Sequence, residues 1–126
     1  MTAKILIIDD SALSRKTLRR ILEGGGHTVI EANDGIAGIE LFYIERPEVV
    51  LLDLVMTGMY GLDVLAKLRA IDPAVRVVVA SADLQSTTRA MAEEAGAVGF
   101  VTKPFATAAV LETVRSATEG GADGAQ

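Results

Sequence analysis

The sequence predicts an α/β protein with a doubly wound, five-stranded parallel sheet that carries helices on both faces. Short Val/Ile/Leu-rich runs alternate five times with segments of helical apolar spacing, and such a repeat forms right-handed crossovers. Continuous apolar runs such as 49–52 and 77–80 are typical of strands buried on both faces. We therefore predict strands near residues 3–9, 27–31, 48–53, 75–80 and 97–102.

The segments between the strands are predicted to be helices of unequal packing strength. The first has an apolar stripe from Leu13 to Leu22, and the glycines at 24–26 end it because glycine accepts a left-handed cap. The segment 84–96 contains little apolar bulk, so we expect it to be the least firmly packed helix. We expect one domain over residues 1–118, followed by a flexible tail over 119–126 that has nothing to bury.

Composition excludes several function classes. The chain has 126 residues, a net charge of -5 and no cysteine, which argues against nonspecific nucleic-acid binding and excludes disulfides and thiolate metal sites. The basic group of Lys16, Arg19 and Arg20 is interpreted as a solvated helix face. No apolar run reaches membrane-spanning length and no signal-peptide pattern opens the chain, so we expect a cytoplasmic protein.

Polar residues end or directly follow four of the five predicted strands. They are Asp9 and Asp10, Asp53, Ser81 and Lys103. In an open parallel sheet, ligands bind in the crevice outside the carboxyl ends of the strands, so these side chains should converge there. The sequence therefore predicts a single site made of three carboxylates, a hydroxyl and an ammonium group.

Three clustered carboxylates repel one another unless a cation neutralises them. Oxygen-only ligands favour Mg²⁺, with Mn²⁺ as the alternative. Asp9 and Asp10 alone do not distinguish a metal site from a helix cap, since acidic residues often cap helices at strand-to-helix turns. Asp53 is more informative, because it ends an apolar strand where an unpartnered carboxylate would be costly.

The same residues suit phosphoryl transfer. If Asp53 is the nucleophile, it forms an aspartyl phosphate. Lys103 could then face one phosphoryl oxygen, Ser81 a second and the metal the third. Ala82 is small and would leave the phosphoryl path open.

The sequence leaves two isomers open for the Lys103–Pro104 bond, and it places His27 away from the site. A cis Lys103–Pro104 bond would aim Lys103 into the crevice, whereas a trans bond would fit a proline that starts the last helix. His27, the only histidine, is expected to lie on the surface at the opposite end of the sheet.

With these motifs in place, the chain resembles the receiver domain of two-component response regulators, most closely its single-domain, CheY-like members. The motifs are IIDDS at 7–11, LLDLVM at 51–56, ASA at 80–82 and VTKPF at 101–105. The resemblance runs from about Lys4 to Thr118 and implies the strand order 2-1-3-4-5. It also implies that Asp53 accepts a phosphoryl group from a sensor histidine kinase or a phosphotransfer protein.

The resemblance further implies a role for each site residue. Asp10, Asp53 and the Val55 carbonyl would bind Mg²⁺ directly, and Asp9 would act through water. Lys103, Ser81 and Ala82 would bind the phosphate, and Ser81 and Phe100 would form the switch. Val55, Asp83 and Tyr60 are the expected modulators.

The implied partners are a downstream protein target, which would bind the face formed by the fourth helix, fifth strand and fifth helix, and a phosphatase. Direct contact with nucleic acid or membrane is not expected. Thr57 and Tyr60 stand where the family often has Pro and Asp. Thr57 therefore lacks the fixed φ of proline, and Tyr60 cannot cap the third helix as a carboxylate would. We expect either a more mobile loop or a Tyr60 side chain that covers it.

Three other functions compete with this one. A Mg²⁺-dependent aspartyl-phosphate phosphatase generally has a second carboxylate two residues after its nucleophile, where this chain has Val55. A flavin carrier shares the fold class, but Asp9 and Asp10 would repel its phosphate. A pseudo-receiver that serves only as a scaffold is a further alternative. We favour a free-standing regulator, with a fragment of a larger regulator as the runner-up.

Overall fold

A computed structural model describes residues 2–82 and 84–123 of the chain. Strands and helices alternate throughout, as the sequence predicts. In chain order they are β1 (Lys4–Ile8), α1 (Ala12–Gly24), β2 (Thr28–Ala32), α2 (Gly35–Glu45), β3 (Val49–Leu52), α3 (Gly61–Ile71), β4 (Arg76–Ser81), α4 (Ser86–Glu94), β5 (Gly99–Thr102) and α5 (Thr107–Asp123).

The five strands form one parallel sheet in the order β2-β1-β3-β4-β5. This confirms the predicted fold class and the strand order implied by the family resemblance. The predicted strand positions also hold, although β5 begins at Gly99 rather than near residue 97. Because the order reverses direction beside β1, the carboxyl ends of β1 and β3 border the crevice expected of this topology.

Alternate residues of each strand supply two separate cores. In β1, Ile5 and Ile7 face the core that α1 and α5 cover, whereas Leu6 and Ile8 face the core that α2, α3 and α4 cover. These four side chains are fully buried. The sheet is therefore enclosed on both faces, which explains why polar and apolar residues do not alternate along its strands.

The helices differ from expectation at two points. Leu13 does not join the buried stripe of α1: it lies in the first turn and is 75% exposed, whereas Leu18 and Leu22 are fully buried. The boundary expected after Thr118 falls inside α5, which continues to Asp123, and residues 124–126 of the expected tail lie outside the described residues. The expectation for α4 agrees with the structure, since Ala92 is its one buried residue. Within residues 2–82 and 84–123, no helix is long and apolar enough to cross a membrane.

Candidate functional site

The register of β1 and β3 places two aspartates side by side. Ile8 pairs with Leu52, and the Asp53 backbone N–H extends that pairing by donating to the Ile8 carbonyl at 3.0 Å. The next residue along each strand is therefore a carboxylate, Asp9 and Asp53. Their exposed fractions are only 1% and 4%, so both need partners within the protein.

Lys103 supplies that partner. The Lys103–Pro104 peptide bond is cis, and the Lys103 backbone N–H donates to the Ser81 carbonyl at 3.0 Å. Its Nζ atom lies 2.9 Å from Asp53 Oδ2 and 3.1 Å from Asp9 Oδ2. One ammonium group therefore bridges the two buried carboxylates.

Local backbone groups hold the other oxygen of each buried carboxylate. The Ser11 N–H donates to Asp9 Oδ1 at 2.8 Å, and the Val55 N–H donates to Asp53 Oδ1 at 3.0 Å. Ser11, whose Oγ accepts from the Ser14 N–H, is the N-cap of α1. The alternative that Asp9 or Asp10 caps this helix is therefore wrong.

The exposed carboxylate of Asp10 is held differently, by a residue from another loop. The Thr57 backbone N–H and the Thr57 hydroxyl both donate to Asp10 Oδ2, at 3.1 and 3.2 Å. Sequence reasoning treated Thr57 only as a lost proline and missed this contact. The single signal was a hydroxyl-bearing residue in the loop that follows Asp53.

Burial and charge shift the protonation equilibria of the site in defined directions. Burial raises the pKa of Asp9 above its ordinary value of 3.8, against the opposing hydrogen bonds from the Ser11 N–H and Lys103. Burial alone would lower the pKa of Lys103, but its hydrogen bonds with Asp53 and Asp9 outweigh that effect, and the pKa is raised. Lys103 therefore stays protonated, whereas burial disfavours the charged form of Asp9.

The three carboxylates fit a hard divalent cation. Asp9, Asp10 and Asp53 each offer one oxygen, and these oxygens lie within 4.8 Å of one another. Among the described residues, two buried side-chain oxygens lack a hydrogen bond of good geometry, Asp9 Oδ2 and Ser81 Oγ. Asp9 Oδ2 still has its ion pair with Lys103, whereas Ser81 Oγ has a capacity for hydrogen bonding that nothing in the described chain uses.

The proposed switch residues lie along β4 and β5. Ser81 is fully buried at the end of β4, and Ala82 beyond it is exposed. Phe100 lies within β5, opposite Val79 of β4, and is half-buried. The Arg89 guanidinium of α4 lies 4.5 Å from the centroid of the Phe100 ring, a cation–π contact that the sequence did not predict.

The expected modulators lie around the mouth of the site. Val55 is 68% exposed and Tyr60 is 54% exposed. Tyr60 is the N-cap of α3 without a side-chain capping hydrogen bond, as its lack of a carboxylate predicts. Asp83, the third expected modulator, lies outside the described residues.

His27 lies away from these groups. It directly precedes β2, and its Nδ1 accepts a hydrogen bond from the Ala3 N–H at 3.1 Å. It is half-buried rather than fully on the surface, and this burial lowers the pKa of His27 below its ordinary value. The neutral imidazole therefore ties the start of β1 to the turn before β2.

Comparison with known proteins identifies the family. A sequence profile of the response regulator receiver domain matches residues 5–115. The chain belongs to this family. Receiver domains are phosphorylation-activated signalling switches that bind Mg²⁺ in an acidic pocket, interact with histidine kinases and downstream targets, and are regulators rather than classical enzymes.

Curated relatives of the receiver domain differ in length. The chain is 32% identical over 120 residues to the chemotaxis protein CheY of Thermotoga maritima, covering 94% of this chain and 100% of that protein. It is 34% identical over 116 residues to the response regulator MprA of Mycobacterium ulcerans, covering 92% of this chain. The chain spans about half the length of that second relative, at 50%.

Solved structures support the fold. A CheY-like receiver domain protein from Methanospirillum hungatei superimposes with a TM-score of 0.90 at 22% identity, covering 98% of both chains. At that identity the comparison supports the fold alone. The resemblance seen in the sequence motifs is confirmed by the family match and the curated relatives.

Proposed function

We propose that Asp53 is the phosphoacceptor of this receiver domain, and that Asp10, Asp53 and the Val55 carbonyl bind Mg²⁺ with Asp9 assisting through water. Lys103, Ser81 and Ala82 form the phosphate-binding surface. The observation that carries the proposal is the position of Lys103 Nζ, 2.9 Å from the buried carboxylate of Asp53 and beside a cluster of three acidic side chains. A cation so placed can neutralise the negative charge on the oxygens of a phosphoryl group that is transferred to Asp53.

The chemistry needs little more than positioning and positive charge. An Asp53 oxygen attacks the phosphorus of a phosphohistidine, the P–N bond breaks, and its electron pair returns to the imidazole, which takes up a proton. Asp10, Asp53 and the Val55 carbonyl would hold Mg²⁺, which would supply positive charge to the phosphoryl oxygens. Lys103 remains protonated because its pKa is raised, and it can pass from its ion pair with Asp53 to a phosphoryl oxygen.

The hydroxyl of Ser81 is the group that responds to the charge of the phosphoryl group. This buried hydroxyl lacks a hydrogen-bond partner among the described residues, so it gains one by donating to a phosphoryl oxygen. We propose that the movement of the Ser81 hydroxyl toward the phosphoryl group displaces Phe100 and α4. This helix has a single buried residue, so it is the easiest helix to displace. The altered surface formed by α4, β5 and α5 then changes affinity for a downstream protein target.

The donor is a sensor histidine kinase or a phosphotransfer protein, and a phosphatase completes the cycle. We propose that the domain also assists its own dephosphorylation and that Val55, Tyr60 and Asp83 set the rate. The exposed Val55 side chain has no polar atom to orient a water, so it can act only by shape. We propose that the domain acts in the cytoplasm. The match to CheY covers the whole of that protein and the match to MprA covers half of it, so the relatives include both a stand-alone regulator and a receiver within a longer protein.

Acetyl phosphate, a small phosphoryl donor, tests this function without the unknown kinase. With Mg²⁺ present, the intact mass of the protein should rise by roughly 80 Da, the mass of one phosphoryl group. With the metal chelated, the gain should vanish, because the carboxylates would then repel the donor. No mass gain at any Mg²⁺ concentration would favour the scaffold alternative.

A further inference from the structure

The three carboxylates of the site are held by two different hydrogen-bonding arrangements. Asp9 and Asp53 each accept a hydrogen bond from the backbone N–H two residues later, within their own loops. Asp10 instead accepts both of its hydrogen bonds from Thr57, which follows β3 and is 47 residues away in sequence. The orientation of Asp10 thus depends on a different loop from the one that carries it.

Both Thr57 donors converge on one carboxylate oxygen. The N–H and the hydroxyl reach Oδ2, which leaves Oδ1 free for another ligand. Asp10 is exposed, so without Thr57 its side chain would sample several rotamers in water. A ligand that is already oriented loses less conformational freedom when it binds a metal.

We infer that Thr57 is a positioning residue for Asp10 and thereby sets the Mg²⁺ affinity of the domain. The inference rests on the proposed function, because it takes Asp10 to be a metal ligand. Residues that hydrogen-bond a metal ligand orient it and typically change metal affinity 10- to 100-fold when removed. Thr57 is exposed, where water competes with both hydrogen bonds, so its effect should be smaller.

A proline at this position, as the family often has, could not act in this way. Proline has neither a backbone N–H nor a hydroxyl, so it fixes the loop through φ and leaves Asp10 without these donors. In this chain the loop is secured at its far end by Gly61, whose N–H donates to the Leu54 carbonyl at 3.3 Å. Thr57 joins that loop to Asp10 and couples the position of the loop to metal binding.

Calorimetric titration of the unphosphorylated chain with Mg²⁺ tests the inference directly. Thr57→Val removes the hydroxyl with little change in shape, and it should raise the Mg²⁺ dissociation constant about fivefold, below the range typical of more buried partners. Thr57→Ser keeps the hydroxyl and should stay within about twofold of wild type. Thr113→Val is the matched control, because Thr113 Oγ1 donates only to its own helix, at Ala109.

A second measurement follows the same Mg²⁺ affinity through phosphorylation of the domain. The Mg²⁺ concentration for half-maximal labelling by acetyl phosphate should rise in Thr57→Val by the same factor as the dissociation constant. An unchanged dissociation constant in Thr57→Val, or a tighter one, would overturn the inference.

Asp10→Asn separates this failure from failure of the proposed function. If Asp10→Asn binds Mg²⁺ as wild type does, the metal assignment itself is wrong. If Asp10→Asn weakens binding and Thr57→Val does not, only the role of Thr57 is lost.

Discussion

The guanidinium group of Arg89 lies 4.5 Å from the centroid of the Phe100 ring. This contact joins α4, the helix with the fewest buried residues, to the aromatic residue that the family resemblance assigns to the switch. Because a cation over an aromatic face is attracted by the ring quadrupole, the pair favours the half-buried position of Phe100 seen here.

A double-mutant cycle measures that attraction. Arg89→Met keeps much of the side-chain length without the charge, and Phe100→Leu keeps an apolar side chain without the ring. We expect a coupling free energy of about 0.5–1 kcal/mol from urea unfolding of the four proteins, the range for exposed cation–π pairs. A coupling energy near zero would show that the contact does not hold Phe100.

Ser81→Ala should separate phosphorylation from its structural response. The labelling of Asp53 should persist, because Asp53, Lys103 and the metal ligands are unchanged. Hydrogen exchange with and without beryllofluoride, a phosphoryl mimic, should then show a blunted change in α4 and at Phe100. Equal changes in wild type and Ser81→Ala would remove Ser81 from the switch.

Asp9→Asn should stabilise the metal-free protein at neutral pH. The pKa of Asp9 is raised by burial, so the stability present below about pH 3.8 is lost as pH rises through the folded pKa. Asn does not ionise, so its advantage should be present near pH 7 and should fade toward pH 3.8. Urea unfolding across this pH range in a chelating buffer provides the measurement. A variant less stable than wild type at pH 7 would show that the ion pair with Lys103 outweighs burial.

Gly61→Ala should be strongly destabilising, because a Cβ atom there would lie 2.3 Å from the Leu54 Cα and 2.8 Å from its carbonyl oxygen. Backbone atoms cannot move aside as a flexible side chain can, so we expect a loss of about 1–3 kcal/mol in the free energy of unfolding. Gly24→Ala is the control, since its Cβ would meet nothing within 4 Å at the end of α1. Equal effects of the two substitutions would contradict the packing argument.

The features of the fold and the site that could be predicted from the sequence are those that depend on local residue patterns and on sheet geometry. Asp53 could be placed because it follows a fully apolar strand, and Lys103 because parallel strands bring their carboxyl ends to one edge. The contact of Thr57 with Asp10 could not be predicted, since it joins two loops 47 residues apart and depends on their exact separation. Leu13 shows the same limit: its spacing fits the apolar stripe of α1, but its position in the first turn leaves it exposed.

Intact mass after incubation with acetyl phosphate and Mg²⁺ tests most directly whether Asp53 is the phosphoacceptor. Asp53→Asn keeps the shape of the side chain but removes the nucleophilic carboxylate, so the gain of roughly 80 Da should be absent. Asp34→Asn is the control: Asp34 is an exposed aspartate that caps α2 by accepting from the Ala37 N–H at 2.8 Å, and its variant should be labelled as wild type is. Undiminished labelling of Asp53→Asn would contradict the assignment.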